Sequence, residues 1–218
     1  MPDFSILTNN IDMYLEGFKY TVMSSVIALI GSFILGVILA VMRIAPIRIL
    51  NWIGSAFVEF VRNIPLVLIA FIFYFALPVI GITLNGFVAG TVTLTVYTAA
   101  FIAEVIRAGI LSVAKGQLEA ARSSGLTYVQ AMYYVVLPQA MKIVIPPLGN
   151  QFLNLVKNSS ILGIIAGADL MYQGDLISTK TFVTFDVYIF VGMSYLILTI
   201  PLSMLVRYLE KRLAKEAV

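Results

Sequence analysis

The sequence contains neither cysteine nor histidine, and charged residues are few. Without cysteine there are no disulfides and no thiolate nucleophiles, and without histidine the imidazole bases and the usual zinc or haem ligand sets are missing. The phosphate-binding pattern Gly-x-x-x-x-Gly-Lys-Ser/Thr is also absent. We therefore expect no catalytic residues, no metal site and no cofactor in this chain, and a typical metalloenzyme is excluded.

Apolar residues are what the sequence has in excess. They make up 61% of the 218 residues, against 11% charged, and the mean hydropathy is +1.00. One soluble core cannot bury that much apolar surface, so we expect a lipid bilayer to cover it. The formal charge of +3 could suggest nucleic acid binding, but the basic residues stand singly at the ends of apolar segments. The sequence predicts a membrane protein that binds no nucleic acid.

Five apolar segments are long enough to cross a bilayer, whose core of about 30 Å needs roughly 20 helical residues. Backbone groups in hydrocarbon must bond internally, so long apolar runs between short loops predict a helical bundle and not a barrel. The fold class is therefore an all-α membrane protein, a bundle of five transmembrane helices. Residues 1–19 are too short and too polar to span, and they predict an N-terminal interfacial helix. The predicted spans cover residues 20–42, 57–80, 86–111, 141–165 and 184–206.

Lysine and arginine in the connections predict the orientation. Nine lie on the side of the 43–56 loop, the 112–140 loop and the tail 207–218, whereas Lys19 and Lys180 lie on the other side. Because short basic loops stay in the cytoplasm, we expect the N-terminus outside and the C-terminus cytoplasmic. An odd number of spans cannot be halved into two repeats that enclose a path. A path then needs a second copy or a sister subunit, most simply across a two-fold axis.

The loop between the third and fourth predicted spans is polar to amphipathic. Helix formers precede Gly125, which can take the left-handed conformation that ends a helix, and Thr127 can cap a second helix. That second helix exposes Tyr133 and Tyr134 more than a water-facing loop should, and we expect it to stop at Pro138. Two short helices around a glycine hinge predict a surface for a partner. An ordinary amphipathic connector on the membrane is the alternative.

Four motifs follow one another along the chain. They are Val61-Arg62-Asn63-Ile64-Pro65-Leu66, then Phe71-Ile72-Phe73-Tyr74-Phe75, then Tyr97-Thr98-Ala99-Ala100-Phe101-Ile102-Ala103-Glu104-Val105-Ile106-Arg107-Ala108-Gly109-Ile110, and then Gly116-Gln117-Leu118-Glu119-Ala120-Ala121. In that order and at those spacings they resemble the polar amino acid uptake permeases, the histidine, arginine and glutamine branch of the ABC importers. The loop with Glu119-Ala120-Ala121 resembles the cytoplasmic EAA loop through which such permeases contact their ATPase. Ile64 is a departure, because many members carry threonine there.

The resemblance implies a five-helix subunit with the type I ABC importer permease fold and cytoplasmic coupling helices. Its members work as dimers, here most simply a homodimer, with two copies of an ABC ATPase subunit and an extracellular or periplasmic solute-binding protein. They lie in the bacterial or archaeal cell membrane, the inner membrane where there are two. ATP and magnesium would bind the partner ATPase. The residues implied for ATPase coupling are Glu119, Ala120, Ala121, Gly125, Leu137 and Pro138.

Polar residues inside the predicted spans indicate a substrate path, since an ionisable group there costs on the order of 2.5–3.5 kcal/mol. Tyr97 and Glu104 lie on one helical face of the third span, and Asn154 and Lys157 share a face of the fourth. Glu104 can equally well pair with Arg107, three residues further on. The residues expected to line the path are Glu104, Tyr97, Asn63, Arg62, Asn154 and Lys157.

These observations predict the transmembrane permease subunit of an ABC importer, which carries polar amino acids into the cell. ATP would be hydrolysed on a separate subunit, so the chain itself is not an enzyme. An ionised Glu104 in a partly wet cavity favours basic amino acids, whose side chains are cationic. Two alternatives are a stand-alone ion-coupled carrier or channel, with Glu104 as its ion site, and a membrane scaffold without transport. The odd number of spans and the 112–140 loop favour the importer.

Overall fold

The structure is a computed structural model that describes residues 3–215, with side chains described to residue 212. In that part of the chain every regular element is helical and no strand occurs. Four helices are long and apolar enough to cross a bilayer, and a bent pair of helices supplies the fifth span. The predicted all-α membrane fold with five spans is confirmed.

A short helix and a very long one form the N-terminal part. α1 is Phe4–Asn9 and α2 is Ile11–Ile44. We expected one interfacial helix over residues 1–19, but only α1 is separate, and from Ile11 onward this segment belongs to the first span. The reason is that no proline interrupts α2, while Tyr14 is buried against the last helix and so ties this part of α2 to the bundle.

α5, Gly86–Ser112, is the central helix of the bundle and coincides with the predicted span 86–111. The Asn85 side chain caps it by accepting a hydrogen bond from the backbone N–H of Val88. α2 and α5 form the most extensive helix pair among the described residues. Small buried residues on α2 allow this close packing. They include Gly17, Thr21, Ser24, Ser25, Ala28, Ser32, Gly36 and Ala40.

The predicted span 57–80 is wrong as one straight helix. α3 is Arg48–Arg62 and α4 is Leu66–Phe71, which continues in a π-turn and a 3₁₀ turn to Ile80. The two halves meet at 106°. Pro65 accounts for the break, because proline has no N–H to donate and forces the preceding residue out of the helical conformation.

Two short helices follow α5, as predicted. α6 is Lys115–Ser123 and α7 is Tyr128–Ala131. Gly125 between them has a φ of +89°, and the Thr127 side chain accepts a hydrogen bond from the backbone N–H of Gln130. The Gln130 side chain accepts one from the backbone N–H of Thr127, which completes a capping box. The glycine hinge and the threonine cap are therefore confirmed as local structure.

The helix that begins after Thr127 does not stop at Pro138, contrary to our prediction. A π-turn at Met132–Val136 leads into α8, Leu137–Asn158, which a 3₁₀ turn extends to Ile165. The predicted span 141–165 is thus the second half of a longer helical run.

The wider turn explains why the proline is tolerated. The backbone N–H of Leu137 bonds to the carbonyl of Met132, five residues back, so the chain is loosened where the ring of Pro138 must fit. The same arrangement occurs in the second span, where Leu77 bonds to the carbonyl of Ile72 just before a proline at position 78.

α9, Leu170–Thr181, and α10, Phe185–Lys215, complete the chain. The connection 166–183, which we expected to be an outer loop, therefore contains a helix that packs on the bundle. α10 includes the predicted span 184–206 and continues into the expected tail 207–218. The last three residues of that tail lie outside the described residues.

Candidate functional site

Five charged side chains from three helices meet where the second span is bent, and we call them the charge cluster. Its members are Arg43 at the end of α2, Glu59 and Arg62 on α3, and Glu104 and Arg107 on α5. Glu104 is the centre. One of its oxygens lies 2.6 Å from Arg43 Nη1, the other 2.7 Å from Arg107 Nη2, and Arg62 Nη1 is 3.8 Å away.

The surroundings of Glu104 bear on its two interpretations, as a path residue and as a partner of Arg107. The carboxylate pairs with Arg107, as the three-residue spacing allowed, and also with Arg43 and Arg62. Three guanidinium groups lie within 4 Å of the carboxylate, so a cationic ligand on Glu104 would have to compete with three arginines. We had counted Arg43 only as an orienting charge at the end of a span. Its role in the cluster was missed because Glu104 lies 61 residues further along the chain.

The charge cluster carries more positive than negative charge. Three arginines face two glutamates, which leaves a formal excess of one positive charge. The Nε atoms of Arg43 and Arg62 are buried and have no hydrogen-bond acceptor among the described residues. The Arg43 side chain is only 7% exposed. Part of the hydrogen-bonding capacity of the cations is therefore unused within this chain.

A cavity of about 240 Å³ lies next to the charge cluster, between α5 and α8, and we call it the amide pocket. Its lining consists of Tyr97, Phe101, Gln151, Asn154 and Asn158. Tyr97 and Asn154 were both predicted to line a path, and the structure brings them together. Phe101 and Gln151 were not predicted. The signal for Gln151 was its position three residues before Asn154, on the same side of the helix.

The amide pocket and the charge cluster touch each other through one contact. The guanidinium carbon of Arg62 lies 5.5 Å from the centre of the Phe101 ring, on its face, which is a cation–π contact. The Tyr97 ring is 4.9 Å from the same ring, centre to centre. Arg62 thus packs against one of the two aromatic rings that line the pocket.

Of the predicted path residues, Arg62 and Glu104 belong to the charge cluster, and Asn63 and Lys157 belong neither to it nor to the amide pocket. Asn63 is at the bend of the second span, where its side-chain amide donates to the Glu59 carbonyl at 2.7 Å. Asn63 is therefore the C-cap residue of α3. Lys157 lines a neighbouring groove of about 390 Å³ between α8 and α10, together with Thr199 and Arg207. Among the described residues Lys157 makes no ion pair.

The α6–α7 unit, residues 115–136, presents an exposed and largely apolar surface. Tyr133 and Tyr134 are each 66% exposed, and Val129 is 73% exposed. Such a patch is unusual on a surface that faces water and is typical of a docking site. Of the residues implied for coupling, Glu119, Ala120, Gly125 and Pro138 are exposed, Leu137 is half-buried and Ala121 is buried.

A cavity of about 460 Å³ separates the α6–α7 unit from the ends of α2 and α5. Arg43, Leu111, Glu119, Tyr128 and Val136 are among the residues around it. The unit is therefore attached to the bundle mainly through the π-turn that joins α7 to α8. A part of the chain with so few contacts can change position more easily than the spans.

Asp169 is a buried carboxylate in the connection between the fourth and fifth spans. It caps α9 by accepting hydrogen bonds from the backbone N–H groups of Met171 and Tyr172, at 3.2 and 3.1 Å. The Tyr195 hydroxyl donates to it at 3.3 Å. Burial raises the pKa of Asp169 to about 6, although these hydrogen bonds oppose the rise. In the described part of the chain no group of acidic residues could hold a metal ion.

Comparisons with known proteins agree with this architecture. Residues 13–215 match the family described as binding-protein-dependent transport system inner membrane component. The probable glutamine ABC transporter permease protein GlnM of Bacillus subtilis (strain 168) is 69% identical, over 97% of this chain and 98% of that protein. The glutamine transport system permease protein GlnP of Escherichia coli (strain K12) is 34% identical over 97% of each chain.

Solved structures give the same result. The crystal structure of an amino acid ABC transporter with histidines is similar with a TM-score of 0.91 at 34% identity, over 97% of this chain and 99% of that chain. An inward-facing structure of the MetNI methionine ABC transporter has a TM-score of 0.65 at 25% identity, over 91% and 95% of the two chains. The chain belongs to the binding-protein-dependent transport system inner membrane components, as a permease of the polar amino acid ABC importer type.

Proposed function

We propose that this permease imports polar amino acids with an uncharged side chain, and glutamine in particular. The observation that carries the proposal is the amide pocket, which is lined by three side-chain amides and two aromatic rings and by no charged group. Side-chain amides can both donate to and accept from the amide of glutamine. The names of the relatives GlnM and GlnP support the same substrate. The basic preference that we expected from Glu104 finds no support, because three arginines hold that carboxylate.

Lys157 is the residue that we assign to the α-carboxylate of the substrate. It lies next to Asn158 and three residues after Asn154, which both line the amide pocket, and its own side chain lines the neighbouring groove between α8 and α10. The two carboxylates of the charge cluster, Glu59 and Glu104, are already bound by arginines. A charged lysine at membrane depth needs a counter-charge or water, and a substrate carboxylate supplies one.

A second permease copy completes the path in this proposal. Asn150, Asn154 and Lys157 form one face of α8, and all three are exposed on the single chain. Polar and charged groups at this depth must face protein or a wet cavity, and not lipid. A homodimer that brings two such faces together would enclose a polar path. An ion-coupled carrier with Glu104 as its ion site is disfavoured for the same reason as the basic preference.

In this proposal the α6–α7 unit couples ATP hydrolysis on the ATPase to transport. Its exposed tyrosines are suited to a groove on an ABC ATPase, with two ATPase copies for two permeases, and ATP and magnesium bound on those subunits. A solute-binding protein would deliver the substrate on the opposite side of the membrane. The loose attachment of the unit allows it to follow the ATPase, and transport then consists of switching between inward-open and outward-open states.

The orientation that we propose has the N-terminus outside, because nine basic residues lie on the side of the α6–α7 unit. A cysteine placed at Phe182, which is 93% exposed between α9 and α10, should react with a membrane-impermeant thiol reagent in whole cells. A cysteine at Ser124 should react only after the cells are opened. Since the chain has no native cysteine, each label reports one site. Labelling of both sites in intact cells would contradict this orientation.

The test of the proposed function is uptake by purified components. The permease is purified with its co-expressed ATPase, reconstituted in proteoliposomes with ATP inside and supplied with the solute-binding protein. We expect ATP-dependent uptake of glutamine, and Lys157→Gln should lower it more than tenfold. The matched control is Lys180→Gln at the end of α9, which should leave uptake unchanged. Purification without an ATPase, or uptake that does not depend on ATP, would disprove the proposal.

A further inference from the structure

The charge cluster contacts Phe101, one of the residues that line the amide pocket, and this contact gives it an electrostatic role. The guanidinium carbon of Arg62 lies 5.5 Å from the centre of the Phe101 ring, over its face. The ring itself is apolar and does not screen the charge as water would. A ligand in the pocket therefore lies within the electrostatic field of the cluster's net charge.

The formal net charge of the cluster is positive. Arg43, Arg62 and Arg107 face only Glu59 and Glu104, and Glu59 is the more exposed of the two carboxylates, at 55%. Exposure to water weakens the effect of Glu59 on a neighbouring site more than that of the arginines, whose side chains are 7% to 33% exposed. A ligand in the pocket therefore meets an excess of positive charge near Phe101.

We propose that the charge cluster determines substrate specificity by disfavouring amino acids with a cationic side chain. This inference rests on the proposed function, because it takes the amide pocket as the substrate site. Glutamine has no side-chain charge and is unaffected, whereas the ammonium of lysine or the guanidinium of arginine is repelled. The cluster thus acts opposite to what an isolated Glu104 would do.

The size of the effect follows from Coulomb's law. A side-chain cation packed against the Phe101 ring would lie within roughly 9 Å of the Arg62 guanidinium. At 9 Å, with an effective dielectric constant of about 20, one unit charge changes a binding constant by about twentyfold. Removing the excess charge should therefore change the preference for glutamine over lysine by about that factor.

The experiment measures this preference without the solute-binding protein, which would otherwise select the substrate first. The permease–ATPase complex is placed in nanodiscs, and unlabelled L-lysine or L-glutamine competes with radiolabelled L-glutamine. The measured quantity is the ratio of the two inhibitory concentrations. A change in folding or in general affinity affects both competitors and leaves this ratio unchanged.

Two variants change the charge in opposite directions. Arg62→Gln makes the cluster neutral, so the lysine-to-glutamine ratio should fall about twentyfold. Glu59→Gln raises the excess to two positive charges, so the ratio should rise a few-fold. Arg62→Lys keeps the charge and should retain the wild-type ratio. Arg48→Gln, at the other end of α3 and about 20 Å away along the helix, is the matched control and should change nothing.

Each outcome bears on the inference. Opposite changes in Arg62→Gln and Glu59→Gln, with no change in Arg48→Gln, would support it, because a purely structural defect cannot produce opposite signs. An unchanged ratio in both variants, a change of the same sign in both, or a wild-type complex that prefers lysine would overturn it. A wild-type complex that binds glutamine nowhere would overturn the proposed function and this inference with it.

Discussion

Asp169→Asn should remove a pH-dependent loss of stability from this protein. Asp169 is fully buried, and its pKa in the fold is about 6, against 3.8 for an ordinary aspartate. The native state therefore holds this proton more tightly than the unfolded chain does between about pH 4 and pH 6. Stability falls as the pH rises through that window and stays at the lower level above it. A pKa difference of about two corresponds to about 3 kcal/mol.

Asparagine keeps the capping interaction, since its side-chain oxygen can still accept a hydrogen bond from the backbone at the start of α9. The variant should therefore be more stable than the wild type by about 1 kcal/mol at pH 4.5 and by about 3 kcal/mol at pH 7.5. For a chain of this length, 3 kcal/mol corresponds to a difference in Tm of roughly 6–12 °C. Asp169→Ala is the comparison, because it loses the carboxylate and the cap together. The stability of Asp169→Ala should depend on pH in the same way as that of Asp169→Asn, but should be lower by about 1 kcal/mol at every pH.

The measurement is the thermal unfolding of the detergent-purified protein, followed at several pH values between about 4.5 and 7.5. Other carboxylates contribute to the absolute profile, so the informative quantity is the difference in Tm between variant and wild type at each pH. If that difference is the same at both ends of the range, Asp169 does not carry the cost that its burial implies.

Two glycines give sharper structural tests. A Cβ atom at Gly86 would lie 2.0 Å from the carbonyl oxygen of Ile165, a backbone atom that cannot move aside, so Gly86→Ala should cost about 3 kcal/mol, visible as a lower Tm. Gly192→Ala, in open space on α10, should be neutral or stabilising by up to about 1 kcal/mol, and equal effects at the two sites would contradict the packing. Gly125→Val places a β-branched residue at a φ of +89° and should reduce ATP-dependent uptake without lowering the amount of folded protein in the membrane. Gly125→Asn, which tolerates this conformation, should retain uptake, and a loss in both variants would mean that backbone strain is not the cause.

Features that depend on neighbouring residues could be predicted from the sequence. The span α5, the hinge at Gly125 and the cap at Thr127 follow from local composition, and the structure has all three where the pattern indicated. The pairing of Glu104 with Arg107 was likewise visible as a three-residue spacing. In each case the interacting groups lie within one or two helical turns, so no knowledge of the overall fold was needed.

Features that depend on distant contacts or on helix direction could not be predicted. Hydropathy counts apolar residues and is insensitive to the direction of a helix, so the 106° bend at Pro65 was missed. Arg43 looked like an orienting charge until the fold placed it on Glu104. The amide pocket requires Tyr97 and Asn154 to face each other from two helices, and their separate periodicities do not determine how those helices are rotated.

The two π-turns have a consequence for how the α6–α7 unit can move. Each holds one residue more than an α-helical turn, at Ile72–Ala76 and at Met132–Val136, and each is followed directly by a leucine and a proline. If such a turn rewinds to α-helical geometry, its extra residue turns the adjoining segment by about 100° and advances it by about 1.5 Å. For the second turn this is a screw motion that re-aims Tyr133 and Tyr134 while every span stays wound. A displacement of the α6–α7 unit can thus be coupled to a rotation of the helix at this turn.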